Sequence, residues 1–138
     1  MGTTENKALV RRIFEEGMNQ RKTEIFDSCL TPNFVNHDMP APAPGPEGFR
    51  QVFGMFQTAF PDMHVDLHEV LATDDDKVVT RGVFTGTHRG EFMGVPASGA
   101  PIEVKFIDIW RVENGKVAEN WVRLDQLGLM QQIGALPS

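Results

Sequence analysis

Two hydrophobic rhythms divide the chain. Over residues 5–20, Leu9, Val10, Ile13 and Phe14 recur at helical spacing, with Lys7, Arg11, Arg12, Glu15 and Glu16 on the other faces. This predicts an amphipathic helix with Thr4 as its N-cap and a frayed end at Gly17 and Asn19. A short second helix is expected from Thr23 to Leu30, stopped by Thr31-Pro32-Asn33, and Phe34 to Asp38 reads as extended. Pro40, Pro42, Pro44 and Pro46 then fall at alternate positions, the pattern of a semi-rigid extended loop. Pro46-Glu47 opens a third helix, along which Phe49, Val52, Phe53, Phe56 and Phe60 keep helical spacing as far as Pro61. That stripe reads first as packing against a sheet and second as an aromatic wall for a ligand.

From residue 64 the period changes to two. His64 to Ala72, Lys77 to Thr87, Ile102 to Val112 and Lys116 to Leu124 read as four strands. Asp74-Asp75-Asp76 and Asn114-Gly115 mark turns, and the acidic triplet lacks the spaced ligands and glycine of a calcium loop. A glycine- and proline-rich loop spans Arg89 to Pro101, and Asp125 is a natural N-cap for a terminal helix from Gln126 to Ile133. Helices first and antiparallel strands afterwards predict an α+β fold: a curved, mostly antiparallel sheet with the N-terminal helices over its concave face. Such a cone has an inside.

Composition narrows the function. The chain has 138 residues, enough for one domain over 1–138 and a core with an enclosed cavity. Thirteen Lys and Arg against nineteen Asp and Glu give a net charge of −6, without the basic clusters that phosphate backbones require. Nucleic acid is therefore not an expected partner. No apolar run approaches a membrane span, and the start MGTTENK lacks a signal peptide's apolar segment. The single cysteine, Cys29, cannot form an internal disulfide and suits a reducing cytoplasm. Cys29 itself reads as a small core residue, and Ser28 and Ser98 lack the setting of an activated nucleophile. No zinc-type His/Cys spacing and no phosphate-cradling glycine motif occurs, so neither a metal nor a nucleotide cofactor is expected.

The informative residue is Asp108. Pleating puts Ile102, Val104, Phe106, Asp108, Trp110 and Val112 on one side of their strand, and only Asp108 there is polar. A lone carboxyl among apolar neighbours has a raised pKa, which lets it hold or release a proton near neutral pH. The alternative is an aspartate neutralised by an arginine, a histidine or backbone donors. What faces it depends on the hairpin. A two-residue Asn114-Gly115 turn pairs Asp108 with Trp121 and sets Glu119 and Arg123 on its face. A three-residue loop with a glycine bulge pairs it with Asn120 and brings Val122 and Leu124 there. His37, in Asn36-His37-Asp38, and His88, at a strand end, are candidate proton carriers or substrate donors. His64 and His68 read as surface residues.

Four segments carry a resemblance: FVNHD, GTHRGEFMGVPASG, FIDIWRVENGKV and ENWVRLDQLGLMQQIG. Together they resemble the SnoaL-like polyketide cyclases, a branch of the nuclear-transport-factor-two-like superfamily. The resemblance implies a cone-shaped α+β barrel, an oligomer, and a ligand in the cone. It implies intramolecular aldol ring closure without metal or cofactor, run by an acid–base pair. The family's pocket histidine falls at Asp108, and its catalytic aspartate falls at Val122, so the usual pair is absent. It also implies the bulged hairpin, with Asn120 and Val122 inside, and Asp125 matches an aspartate frequent at the family's strand-to-helix corner, read as a cap in preference to a catalytic group.

The expected function is therefore cofactor-independent cyclase, isomerase or lyase chemistry on a small hydrophobic carbonyl compound. Asp108 would be the base and His37, His88 or Asn120 the oxyanion contact, with Asn36, Phe53, Phe56, Phe106, Trp110 and Val122 lining the cavity. Two alternatives remain open: a non-catalytic binding module, and an epoxide-type hydrolase using Glu119 and Arg123 beside Asp108. Ile107 and Ile109, on the opposite side of their strand, predict a homodimer or higher homo-oligomer.

Overall fold

The alternation in the second half builds the frame of the molecule. The computed structural model describes residues 2–137. Strands β2 (His64–Ala72), β3 (Lys77–Thr87), β4 (Pro101–Glu113) and β5 (Lys116–Leu124) form antiparallel neighbours, and β1 (Leu30–Asn36) adds in parallel to β5. The order β1-β5-β4-β3-β2 leaves an open, curved sheet with β1 and β2 at its edges. On β4 the even-numbered residues are buried and the odd-numbered ones face out. Bulges at His68, opposite Gly82, and at Ala118 break the ladders and bend the sheet. Gly82 is needed there, since a Cβ would stand 2.3 Å from the Asp66 carbonyl oxygen.

Helices close the concave side. Helix α1 (Thr3–Arg12) starts one residue before the expected cap: Gly2 occupies the N-cap position and no side chain caps it. The helix continues as a π-turn segment, Ile13–Asn19, where Gly17 lets the Phe26 ring lie against the backbone. Its end is not frayed. Asn19 pairs with the backbone N–H and carbonyl of Val65, at 2.8 Å each, as a strand would. The expected second helix is a 3₁₀ turn, Thr23–Ile25, and one helical turn, α2 (Phe26–Cys29). Thr31-Pro32-Asn33 belongs to β1 rather than to a helix stop. Proline is tolerated there because β1 is an edge strand whose pairing with β5 is interrupted between Leu30 and Val35.

Helix α3 (Gly45–Ala59) has Pro46 in its first turn, and α4 (Gln126–Gln132) is capped by Asp125 Oδ1, which accepts from Gly128 N at 2.9 Å. The core runs between helices and sheet. Phe14 stacks on Phe106 at 5.7 Å and meets Trp110 edge-on at 5.4 Å. At one end Phe60 and Phe92 pack together, with Phe84 beside Phe60. Trp110 satisfies its indole N–H by donating to Thr80 Oγ1 at 3.0 Å.

The hairpin register combines features of both expectations. Asn114 and Gly115 have φ of 51° and 79°, a tight two-residue turn with Glu113 opposite Lys116. Ala118 is then an extra residue, so Arg111 pairs with Glu119, Trp110 with Asn120 and Asp108 with Val122. Neither Trp121 nor Asn120 is the direct partner of Asp108. The bulge, and not the turn, sends Asn120, Val122 and Leu124 inward.

Candidate active site

Between the concave sheet face and α3 lies a cavity of about 390 Å³, within the range of small-molecule sites. Its walls are aromatic and aliphatic. Phe14, Phe34, Phe49, Phe53, Phe56 and Phe84 contribute rings, with Met18, Met39 and Met63 between them. The proline-rich segment supplies Ala41 to Pro44 as a further wall. The stripe on α3 thus serves the ligand-wall reading directly, while Phe60 takes the packing role.

Polar groups converge on one side only. Asp108, Asn120 and Asn36 are the lining residues that carry carboxyl or amide side chains. Asp108 is 5% exposed, and its Oδ1 is buried without a hydrogen-bond partner. Burial, first, and the nearby Asp38 carboxylate, second, hold its pKa well above the ordinary carboxylate range. Asn120, 1% exposed, donates one amide hydrogen to the Ile109 carbonyl at 3.1 Å, which leaves its second amide hydrogen without a partner among the described residues. Asn36 spends its Oδ1 on the chain: it accepts from the N–H groups of Asp38 and Met39, at 3.1 Å each.

Of the residues expected at the site, Asp108, Asn36, Phe53, Phe56, Phe106, Trp110, Asn120 and Val122 all line this cavity. The two histidines do not. His37 follows an inward Asn36, so the pleat turns it to the convex side, where it stacks on Trp121 at 5.0 Å and lies 3.0 Å from Glu119 Oε1. His88 faces inward but beyond the cavity, behind Phe60. It is fully buried, and its Nδ1 accepts from Ser98 N at 3.2 Å with Ser98 Oγ 2.8 Å away. Glu119 and Arg123 also stand outside the cavity, so the carboxylate–arginine cluster of the hydrolase alternative is not assembled. Glu119 instead pairs with Arg111 and His37.

Asp38 is not among the residues that the sequence points to as functional. Its Oδ2 accepts the Val122 N–H at 2.7 Å, and Arg123 pairs with the same carboxylate. Both hold its pKa below the ordinary value. The signal available was its place directly after His37, but only the tertiary fold brings it to β5.

Among the described residues no group of three or more His, Cys, Asp or Glu is placed to hold a metal. Among the described residues no helix is long and apolar enough to cross a membrane. His64 and His68 are exposed, as the strand pattern predicted.

The fold matches known proteins along nearly the whole chain. The SnoaL-like polyketide cyclase family model matches residues 8–133, and the chain belongs to that family. TsrD from Streptomyces laurentii superposes with a TM-score of 0.89 at 29% identity, covering 99% of each chain. A SnoaL-like protein from Jannaschia sp. CCS1 gives 0.86 at 29%, over 98% of this chain and 95% of that one. IdmH from Streptomyces antibioticus gives 0.79 at 30%, over 94% and 98%. No curated protein sequence matches the chain.

Proposed function

We propose that the protein moves protons on an uncharged, hydrophobic carbonyl compound held in the cone, as a cofactor-independent cyclase, isomerase or lyase. The observation that carries this reading is Asp108: a buried carboxyl, one oxygen of which has no hydrogen-bond partner, on a residue that lines an apolar cavity of ligand size. In its ionised form it takes a proton from the carbon next to the carbonyl. The electron pair moves to the carbonyl oxygen as an enolate, which the free amide hydrogen of Asn120 meets. Asp108 then returns the proton to carbon or oxygen, and the reaction balances within one substrate. With His37 and His88 outside the cavity, Asn120 is the oxyanion contact. The aromatic rings of α3 and β4 hold the body of the substrate.

The test is hydrogen exchange. A panel of aromatic ketones and polyketide-like 1,3-dicarbonyls is incubated with protein in D2O and followed by NMR. Catalysed exchange at the α-carbon, lowered about 10²- to 10⁴-fold in Asp108→Asn, supports the reading. Exchange that survives the substitution sinks it.

A second reading, a binding module without turnover, is favoured by one observation: Asp108 is the only titratable side chain lining the cavity among the described residues. It expects ligand affinity without exchange, and no dependence of that affinity on the titration of Asp108. The same proposal includes a homodimer formed through the convex face and, from the lone cysteine, a cytoplasmic setting.

A further inference from the structure

We propose that Asp38, which does not line the cavity, is a positioning residue for Asp108: it clamps β5 opposite Asp108 and governs how readily that carboxyl ionises. The inference rests on Asp108 being the proton-handling group of the site. Its geometry starts at the end of β1. Asn36 Oδ1 accepts from the N–H groups of Asp38 and Met39, a tight turn that aims the Asp38 carboxylate back at the sheet. Asp38 Oδ2 takes the N–H of Val122 at 2.7 Å, and Val122 is the residue directly across the ladder from Asp108. Arg123, the next residue, pairs with the same carboxylate from the solvent side, its own side chain 80% exposed. One carboxylate thus ties the β1 exit, the β5 wall and the start of the proline-rich wall segment together.

The electrostatics follow from that placement. A fixed negative charge behind Val122 disfavours a second negative charge on Asp108, which burial already penalises. Around Asp108 the packed elements contribute no other titratable group among the described residues. The helix of residues 13–19 presents Phe14, α3 presents Phe49 against Trp110, β3 presents Thr80 and β5 presents Val122. His37, Glu119 and Arg111 stand on the far face, engaged with one another. Arg123 is the cation that partly offsets Asp38. Two environments push the ionisation of two neighbouring carboxyls apart, that of Asp38 to lower pH and that of Asp108 to higher pH.

Two substitutions separate charge from structure. Asp38→Asn keeps an oxygen that can accept the Val122 N–H but removes the charge, so Asp108 should ionise at lower pH. Arg123→Gln removes the offsetting cation from an exposed position, so Asp108 should ionise at higher pH. A purely structural Asp38 would not give opposite signs. The measurement is the 13C carboxyl titration of aspartate-labelled full-length protein, with the Asp108 signal identified by its absence in Asp108→Asn. We expect a downward shift in Asp38→Asn of at least about half a pH unit, roughly threefold in proton affinity, and a smaller upward shift in Arg123→Gln. An unchanged midpoint in Asp38→Asn, or shifts of the same sign, overturns the inference. If Asp38→Asn does not fold, Arg123→Gln decides alone, and a midpoint that stays or falls overturns it. A wild-type midpoint in the ordinary carboxylate range would instead remove the functional reading itself, so the two failures are distinguishable.

Discussion

Asp108 and Val122 face each other across β4 and β5, and the extra residue Ala118 is what sets them there. Without that bulge the tight Asn114-Gly115 turn would run the ladder one residue out of step, turning Glu119, Trp121 and Arg123 into the cone. A single residue therefore decides whether the carboxyl meets an aliphatic wall or a charged one. The apolar neighbour keeps Asp108 dry, and the Asp38 carboxylate behind that neighbour keeps it near a negative charge.

Asp108 should lower stability as pH rises. Its folded pKa lies above its unfolded one, so above the unfolded value, about 3.9, the native state binds more protons than the unfolded state. Stability then falls with pH, with a limiting slope of about 1.4 kcal/mol per unit, until Asp108 itself ionises. Asp108→Asn lacks this penalty. Urea denaturation should find the variant more stable than wild type at pH 7–8, with a gap that closes toward pH 4. A gap that widens on acidification would contradict the sign.

Trp110 and Thr80 should behave as a coupled pair. Trp110→Phe leaves the buried Thr80 hydroxyl without its indole donor, a loss of about 1–3 kcal/mol from that group. Thr80→Val removes the orphaned hydroxyl, so the double variant should be more stable than the sum of the singles predicts. Denaturant titrations of the four proteins give the coupling directly. Strict additivity would show that this hydrogen bond contributes nothing.

The cavity should discriminate by charge. Its lining contains no Lys, Arg or His, so an anion would be buried beside Asp108 without a counter-ion. 2-Acetylnaphthalene is expected to bind at neutral pH, and 2-naphthoate to bind at least about tenfold more weakly. Isothermal titration of the pair checks this. Equal affinities would point to a cation reaching the site.

The convex face should carry an oligomer contact. Ile107 is 50% and Ile109 38% exposed between Lys105 and Arg111, an apolar centre on an outward sheet face. Ile109→Asp is expected to shift the mass measured by light scattering from dimer to monomer. A wild-type monomer at micromolar concentration would end the proposal.

Much of the scaffold was legible because its signals are local. The two-residue alternation of β2 to β5, the α3 stripe and the Asp125 cap each depend on neighbours in sequence, and each element appears where its pattern lies. The candidate wall was legible for the same reason: the parity of β4 puts Phe106, Asp108 and Trp110 on one face. Elements that answer to distant partners were not. Pro32 reads as a helix stop because proline cannot continue a helix, whereas the edge strand β1 accommodates it. The end of α1 looked frayed because the partner of Asn19 is the backbone of Val65, 46 residues away.

The sequence by itself determined that one carboxyl would sit among apolar residues on the inner face of a curved sheet, because pleating and helical periodicity are properties of consecutive residues. Only the tertiary structure decided its company. Whether His37 and His88 reach it, whether Val122 or Trp121 faces it, and that Asp38 stands behind it depend on register and on strand-end geometry. Those are set by packing over long sequence separations, where a shift of one residue reverses every side chain's direction.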